Sequence, residues 1–203
     1  MTNPPRPPHS RATRLAHAGL ALAVGVDLLT SIILQAPGQK LPANVYFKIH
    51  QDAGLLAGAL ALALWAIILV RQVGTPVGLL LPWFSRRRPD AFWGDLTAHL
   101  ADLRTHRLPP YQEAAPFATA IHGLGLLLIT AMAVTGTIYA LALRAALPIS
   151  QAAILSMGLH RILGDLTWVF LAGHGLLSLV HHYGLDKSLA EMWSLERHGI
   201  EKD

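Results

Sequence analysis

Four long apolar stretches dominate the chain, set between short polar segments and one long one. The first covers about residues 15–36 and runs into Pro37-Gly38; the second covers about 46–70 and stops at Arg71. The third covers about 116–143, opening on Pro116 and closing before Arg144; the fourth covers about 159–183 and ends at Gly184. Each can cross a hydrocarbon core, which takes about 20 apolar residues in a helix. Pro, Gly and Arg at their ends are the residues that start or stop helices. The pattern predicts an all-α, integral membrane four-helix bundle over residues 14–186. Flanking it are a Pro-rich, flexible segment at 1–13 and a charged tail at 187–203.

The first stretch follows Arg6, Arg11 and Arg14, as the apolar part of a signal peptide would. It is long for that role, contains Asp27 and lacks a small-residue cleavage site, so it reads as a retained span. Loop charge then sets the orientation. With both termini cytoplasmic, that side holds twelve of the 16 Lys and Arg residues, leaving Lys40, Lys48, Arg144 and Arg161 outside. Positive charge collects on the cytoplasmic side of inner-membrane proteins, so both termini are expected there.

The long segment, 72–115, opens with Pro82-Trp83-Phe84-Ser85 before Arg86-Arg87-Arg88, aromatic beside basic as at a headgroup boundary. Phe92, Leu96, Leu100 and Leu103 then recur at helical spacing opposite Asp95, Asp102 and Arg104. This is an amphipathic cytoplasmic helix, lying on the membrane or capping the bundle from below.

Composition agrees with lipid as the main solvent: 53% hydrophobic, 14% charged, mean hydropathy +0.42. The formal charge of +4 forms no continuous basic stripe, so nucleic acid is not a partner. There is no cysteine, which excludes disulfides, iron–sulfur clusters and covalent c-type haem. Histidine occurs 11 times, several times within apolar runs. An imidazole in hydrocarbon is costly and marks a functional position by default.

The depths of these histidines carry the argument. His17 lies at the cytoplasmic end of the first span and His50 near the external end of the second. His160 and His174 lie near the external end and in the cytoplasmic half of the fourth. At helical pitch, 14 residues bring His160 and His174 to within about 40° of one face and about 21 Å apart along the axis. One helix thus offers two imidazoles at two depths, and two other helices offer one each. Two non-covalent b haems, each held by a histidine on either side, need that arrangement. The pairs are His50 with His160 outside and His17 with His174 inside. Interhelical hydrogen bonding explains single intramembrane histidines but not two matched pairs. A di-iron site fails because Glu113, Glu191, Glu196 and Glu201 lie outside the spans. One zinc ion cannot be shared across two depths.

His122, in the third span, lies close to the depth of His174 and stays open as an alternative ligand, a propionate partner or part of a quinone pocket. His181, with His182 at the water boundary, suits propionates or solvent. His9, His99, His106 and His198 read as exposed. Gly19, Gly54, Gly58, Gly123, Gly125, Gly136, Gly173 and Gly175 near the histidines admit a macrocycle or a neighbouring helix. Arg144, Arg161 and Lys48 suit outer propionates, and Arg14 and Arg71 inner ones. Asp27 is a candidate proton carrier, or a helix-bonding partner of Thr30 or Ser31.

At these residues the chain resembles the bacterial cytochrome b561 family, which includes the b-type cytochrome subunits of nickel–iron hydrogenases. The marks are Arg14-Leu15-Ala16-His17, His50-Gln51-Asp52-Ala53-Gly54, His122-Gly123-Leu124-Gly125 through Thr135-Gly136, and His160 followed by His174 and His181-His182-Tyr183. They span roughly residues 11–186. The resemblance implies that His17, His50, His160 and His174 are axial ligands and that quinone is a substrate. Two departures bear on the partner: Ala18 stands where the family commonly has Trp, and the loop between the second and third spans is long. The expected function is electron transfer across the bacterial inner membrane between an external redox partner and quinone, alone or as the membrane subunit of a larger enzyme. A non-redox anchor or transporter is the alternative. The scarcity of intramembrane charge pairs and of Pro-broken spans counts against transport.

Overall fold

The computed structural model describes residues 9–38, 41–70, 77–84, 89–105, 115–145 and 148–184. Arg71, Arg86, Arg87, Arg88, the first eight residues and the charged tail lie outside that set. All regular structure among the described residues is helical: α1 Arg11–Ser31, α2 Val45–Val70, α3 Val77–Leu80, a 3-10 turn Pro82–Phe84, α4 Pro89–Arg104, α5 Pro116–Arg144 and α6 Gln151–Gly184. α1, α2, α5 and α6 are long and apolar enough to cross a membrane. They run alternately up and down, so α1 and α5 begin at the end where α2 and α6 finish. We call that the inner end and the opposite one the outer.

Ser10 caps α1, its hydroxyl accepting from the Thr13 N–H at 3.1 Å. Arg14 folds back so that Nε and Nη2 donate to the His9 carbonyl, at 3.3 and 3.1 Å. α1 ends at Ser31, five residues short of the expected limit at 36. The cause is Asn44. Its amide donates to the Ile33 carbonyl (3.0 Å) while its Oδ1 accepts from Gln35 N and from Phe47 N (3.0 Å each). One side chain therefore satisfies backbone groups beyond α1 and caps α2, fixing a tight outer turn.

α6 starts eight residues before the expected 159. Ser150 Oγ accepts from Ala153 N at 3.2 Å, and the helix continues for 34 residues, about 51 Å at helical rise. Ser150 and Gln151 lower the local hydropathy and hide this start, although Ser150 is itself a capping residue.

Ala16, Leu20, Ala23, Val24 and Leu28 of α1 pack with Ala57, Ala61 and Leu64 of α2 and Ile129 of α5. The pairing of α1 with α2 is the most extensive; α5 joins α2, and α6 rests mainly on α5. Small residues let these backbones come close, the usual device where lipid removes the hydrophobic drive between helices. The sharpest case is Gly123, where a Cβ would fall 1.8 Å from the Leu80 carbonyl oxygen. Only glycine lets α3 lie against α5.

α4 caps the inner end. Asp95 accepts from the Phe117 N–H at 2.9 Å, filling a free donor in the first turn of α5, where Ala115 offers no side-chain cap. Phe92 lies against Phe117 and Trp83, with centroids 5.9 and 6.2 Å apart. His99 Nδ1 donates to the Asp95 carbonyl (2.9 Å), and its ring packs on Phe117 (5.5 Å). His99, expected to be exposed, is therefore half-buried, while Leu100 from the expected apolar face is exposed. Asp95 and Phe92 together dock the helix on α5.

Candidate functional site

Two imidazole pairs face each other inside the bundle. At the outer level His50 of α2 meets His160 of α6, ring centroids 6.2 Å apart and planes at 87°. At the inner level His17 of α1 meets His174 of α6, at 6.5 Å and 61°. Among the described residues no three of His, Asp and Glu gather as a metal cage. The arrangement is two pairs, with α6 common to both.

The outer pair is oriented by hydrogen bonds that repeat one pattern. His50 Nδ1 lies 3.0 Å from the Asp27 carbonyl and 3.3 Å from Thr30 Oγ1. His160 Nδ1 lies 3.1 Å from the Met132 carbonyl and 3.0 Å from Thr135 Oγ1. In each case a neighbouring helix presents the carbonyl of one residue and the hydroxyl of the residue three further on. Both hydroxyls spend their own proton on the carbonyl of the preceding turn, Thr30 on Val26 (2.7 Å) and Thr135 on Ala131 (2.8 Å). A hydroxyl oxygen so committed accepts from the ring, and a carbonyl can only accept, so Nδ1 carries the hydrogen in both imidazoles. Nε2 then keeps its lone pair. Metal-bound histidines are held in the same way, the second nitrogen donating to a carbonyl or carboxylate.

Asp27 belongs to this shell. Its carboxylate is 3.5 Å from His50 Nδ1, and it faces Gly54, where a Cβ would lie 3.6 Å from Oδ2. The expected bond with Thr30 also forms, its hydroxyl reaching the Asp27 carbonyl at 3.1 Å. Gly136 backs the partner ring: a Cβ there would stand 3.0 Å from His160 Cε1.

The inner pair has aromatic company. Phe170 stacks on His174 at 5.5 Å and 8°, and His122 meets the same ring edge-on at 5.2 Å and 84°. Phe170 fits because residue 125 is glycine, where a Cβ would lie 2.2 Å from Phe170 Cζ. His122 is exposed, unlike His17 and His174.

The candidate propionate residues divide. Arg14 is buried near the inner level, with part of its guanidinium spent on His9. Arg144 is exposed in the last turn of α5. Lys48 pairs with Asp52 on the side of α2 turned about 160° from His50. Arg161 is exposed, about 100° round α6 from His160. Neither Lys48 nor Arg161 joins the outer pair. Arg71 and the His181 side chain lie outside the described residues. Gly173 and Gly175 have nothing within 4 Å of a Cβ, so they do not mark helix contacts.

Thr135 as an orienting group and Phe170 as a neighbour of His174 were not among the expected site residues. Thr30 appeared there only as a partner for Asp27. The available signal was a threonine at the level of the opposite histidine.

Four apolar helices thus bring facing histidine pairs together at two depths. The prokaryotic cytochrome b561 family model matches residues 8–195, and the chain belongs to that family. It is accordingly a multi-pass protein of the bacterial inner membrane with a role in electron transfer. No curated protein and no solved structure gives a significant match to it.

Proposed function

We propose that the chain holds two b haems, one between His50 and His160 and one between His17 and His174, and carries electrons between an external redox partner and quinone. One observation supports this above the rest. Two imidazoles holding one metal between them, each through a nitrogen about 2 Å away, would stand with their ring centroids about 6 Å apart. The two pairs stand at 6.2 and 6.5 Å. His122 at 5.2 Å from His174 is too close to serve opposite it, which favours His17 as the inner ligand.

Haem iron supplies a one-electron couple whose potential follows the axial ligands, burial and nearby charge. The chain's own residues do the rest. Asp27 and Met132 carbonyls, with Thr30 and Thr135, hold the outer rings with Nε2 available. Phe170 and His122 fix the ring of His174 by contact. His122, exposed beside the inner pair, would hydrogen-bond a quinone. Both termini are cytoplasmic in this reading, and a redox partner protein or larger enzyme complex meets the opposite side.

The purified protein should be red, with a reduced-minus-oxidised spectrum of b type and two non-covalent haems per chain by pyridine haemochrome. A stoichiometry near zero, or covalent attachment, would remove the proposal. A reporter fused after Asp203 should be active only as a cytoplasmic fusion; periplasmic activity would reverse the orientation.

A further inference from the structure

The side of α6 turned away from its neighbours carries charge within the membrane. Asp165 follows His160 by five residues and precedes His174 by nine, so it lies between the two histidine levels, about 7.5 Å from the outer one. It is turned about 140° from His160, away from α5, and is exposed. Arg161, one turn outward on the same side, is exposed too. Among the described residues neither makes an ion pair with another. Ionisable groups within spans face a bundle interior, a water-filled cavity or each other, because acyl chains solvate them poorly. A carboxylate at this depth, on the lipid-facing side of a single chain, calls for a cover.

The surrounding pattern says what kind. Ile162, Asp165, Val169, Ala172, Leu176 and Leu179 recur at alternating spacings of three and four, and all are exposed. That is the seam of two helices packed side by side, with one polar residue in an apolar stripe. The face also carries one anion and one cation a turn apart, so it is its own complement. Copies inserted with one orientation meet about a two-fold axis along the membrane normal, with the two α6 helices parallel. Under that axis Asp165 of each copy meets Arg161 of the other, since the arginine side chain covers the roughly 6 Å of rise between them. We propose that this face is the interface between two copies of the chain, closed by reciprocal Arg161–Asp165 pairs.

The absence of native cysteine makes the test direct. Val169→Cys, oxidised in native membranes, should give a disulfide-linked species of twice the 21.9 kDa chain mass on a non-reducing gel. Leu22→Cys, on the exposed side of α1, should stay monomeric. Adding Asp165→Arg to Val169→Cys should cut cross-linking roughly tenfold, and adding Arg161→Asp as well should restore it, by the range of interhelical polar contacts in membranes. If Asp165→Arg fails to accumulate, Asp165→Asn should show a smaller loss. Equal cross-linking from both cysteine positions, or none from Val169→Cys, would overturn the interface. Linkage to a product of another mass would assign the face to a different membrane protein, and a double swap that stays low would exclude reciprocal pairing. None of these readouts depends on haem.

Discussion

The two histidine pairs sit in one bundle and share α6, yet they are positioned by different physics. At the outer level each ring is held through Nδ1 by a carbonyl and a threonine of the neighbouring helix. Such bonds are directional and fix both tautomer and tilt. Around His174 of the inner level the neighbours are rings: Phe170 face-on and His122 edge-on. Ring contacts constrain position well and rotation less. The outer rings are therefore fixed in both tautomer and tilt. The ring of His174 is held chiefly by contact.

The largest test removes ligands one at a time. His50→Ala and His160→Ala should each take the haem count from two to one with the same spectral component lost, and His17→Ala and His174→Ala should each lose the other component. Levels about 21 Å apart cannot share an iron. His122→Ala should keep both haems; loss there, with retention in His17→Ala, would move the inner ligand to α5. Next comes the orienting shell. Thr135→Val keeps the shape and removes the acceptor, and it should weaken outer haem retention about tenfold, the low end for groups behind a metal ligand. Haem loss measured by transfer to an apo-acceptor, followed separately at the two components, would read this; equal loosening of both would erase the contrast between the two levels.

Gly125→Ala should act only on the inner site. Its methyl would meet Phe170, so the ring must leave His174, at a cost of about 1–3 kcal/mol typical of overpacking. The inner potential should shift while the outer one stays, as a redox titration would show. The smallest expected effect is Lys48→Ala. This ion pair with Asp52 is exposed and faces away from His50, so thermal stability should change by no more than about 0.5 kcal/mol and haem content not at all. A lost outer haem would return Lys48 to the site.

Much of this was legible in the chain itself. The four spans follow from apolar run length, and the pairing of His50 with His160 and of His17 with His174 follows from depth and helical phase. The ends were harder to read. Asn44 shortens α1 through bonds to residues nine and 11 positions earlier, and Ser150 starts α6 in a stretch too polar for hydropathy to catch. On α4, Phe92 of the expected apolar face does pack on α5, while Asp95, polar by type, also points inward to cap it. The orienting role of Thr30 and Thr135 needed the relative rotation of helices, which no single-helix pattern contains. Lys48 and Arg161 share the depth of the outer pair but are turned about 160° from His50 and about 100° from His160.

The spacing of the two levels has an electrical consequence. A displacement of about 21 Å along α6 is some two-thirds of a hydrocarbon core about 30 Å thick. Any charge carried from one histidine level to the other therefore moves through about two-thirds of the transmembrane voltage. At about 2.3 kcal/mol per elementary charge per 100 mV for the full drop, that is roughly 1.5 kcal/mol per electron for each 100 mV. An energised membrane would bias the two levels against each other by that amount with no change in any side chain, favouring passage of the electron towards the positive face.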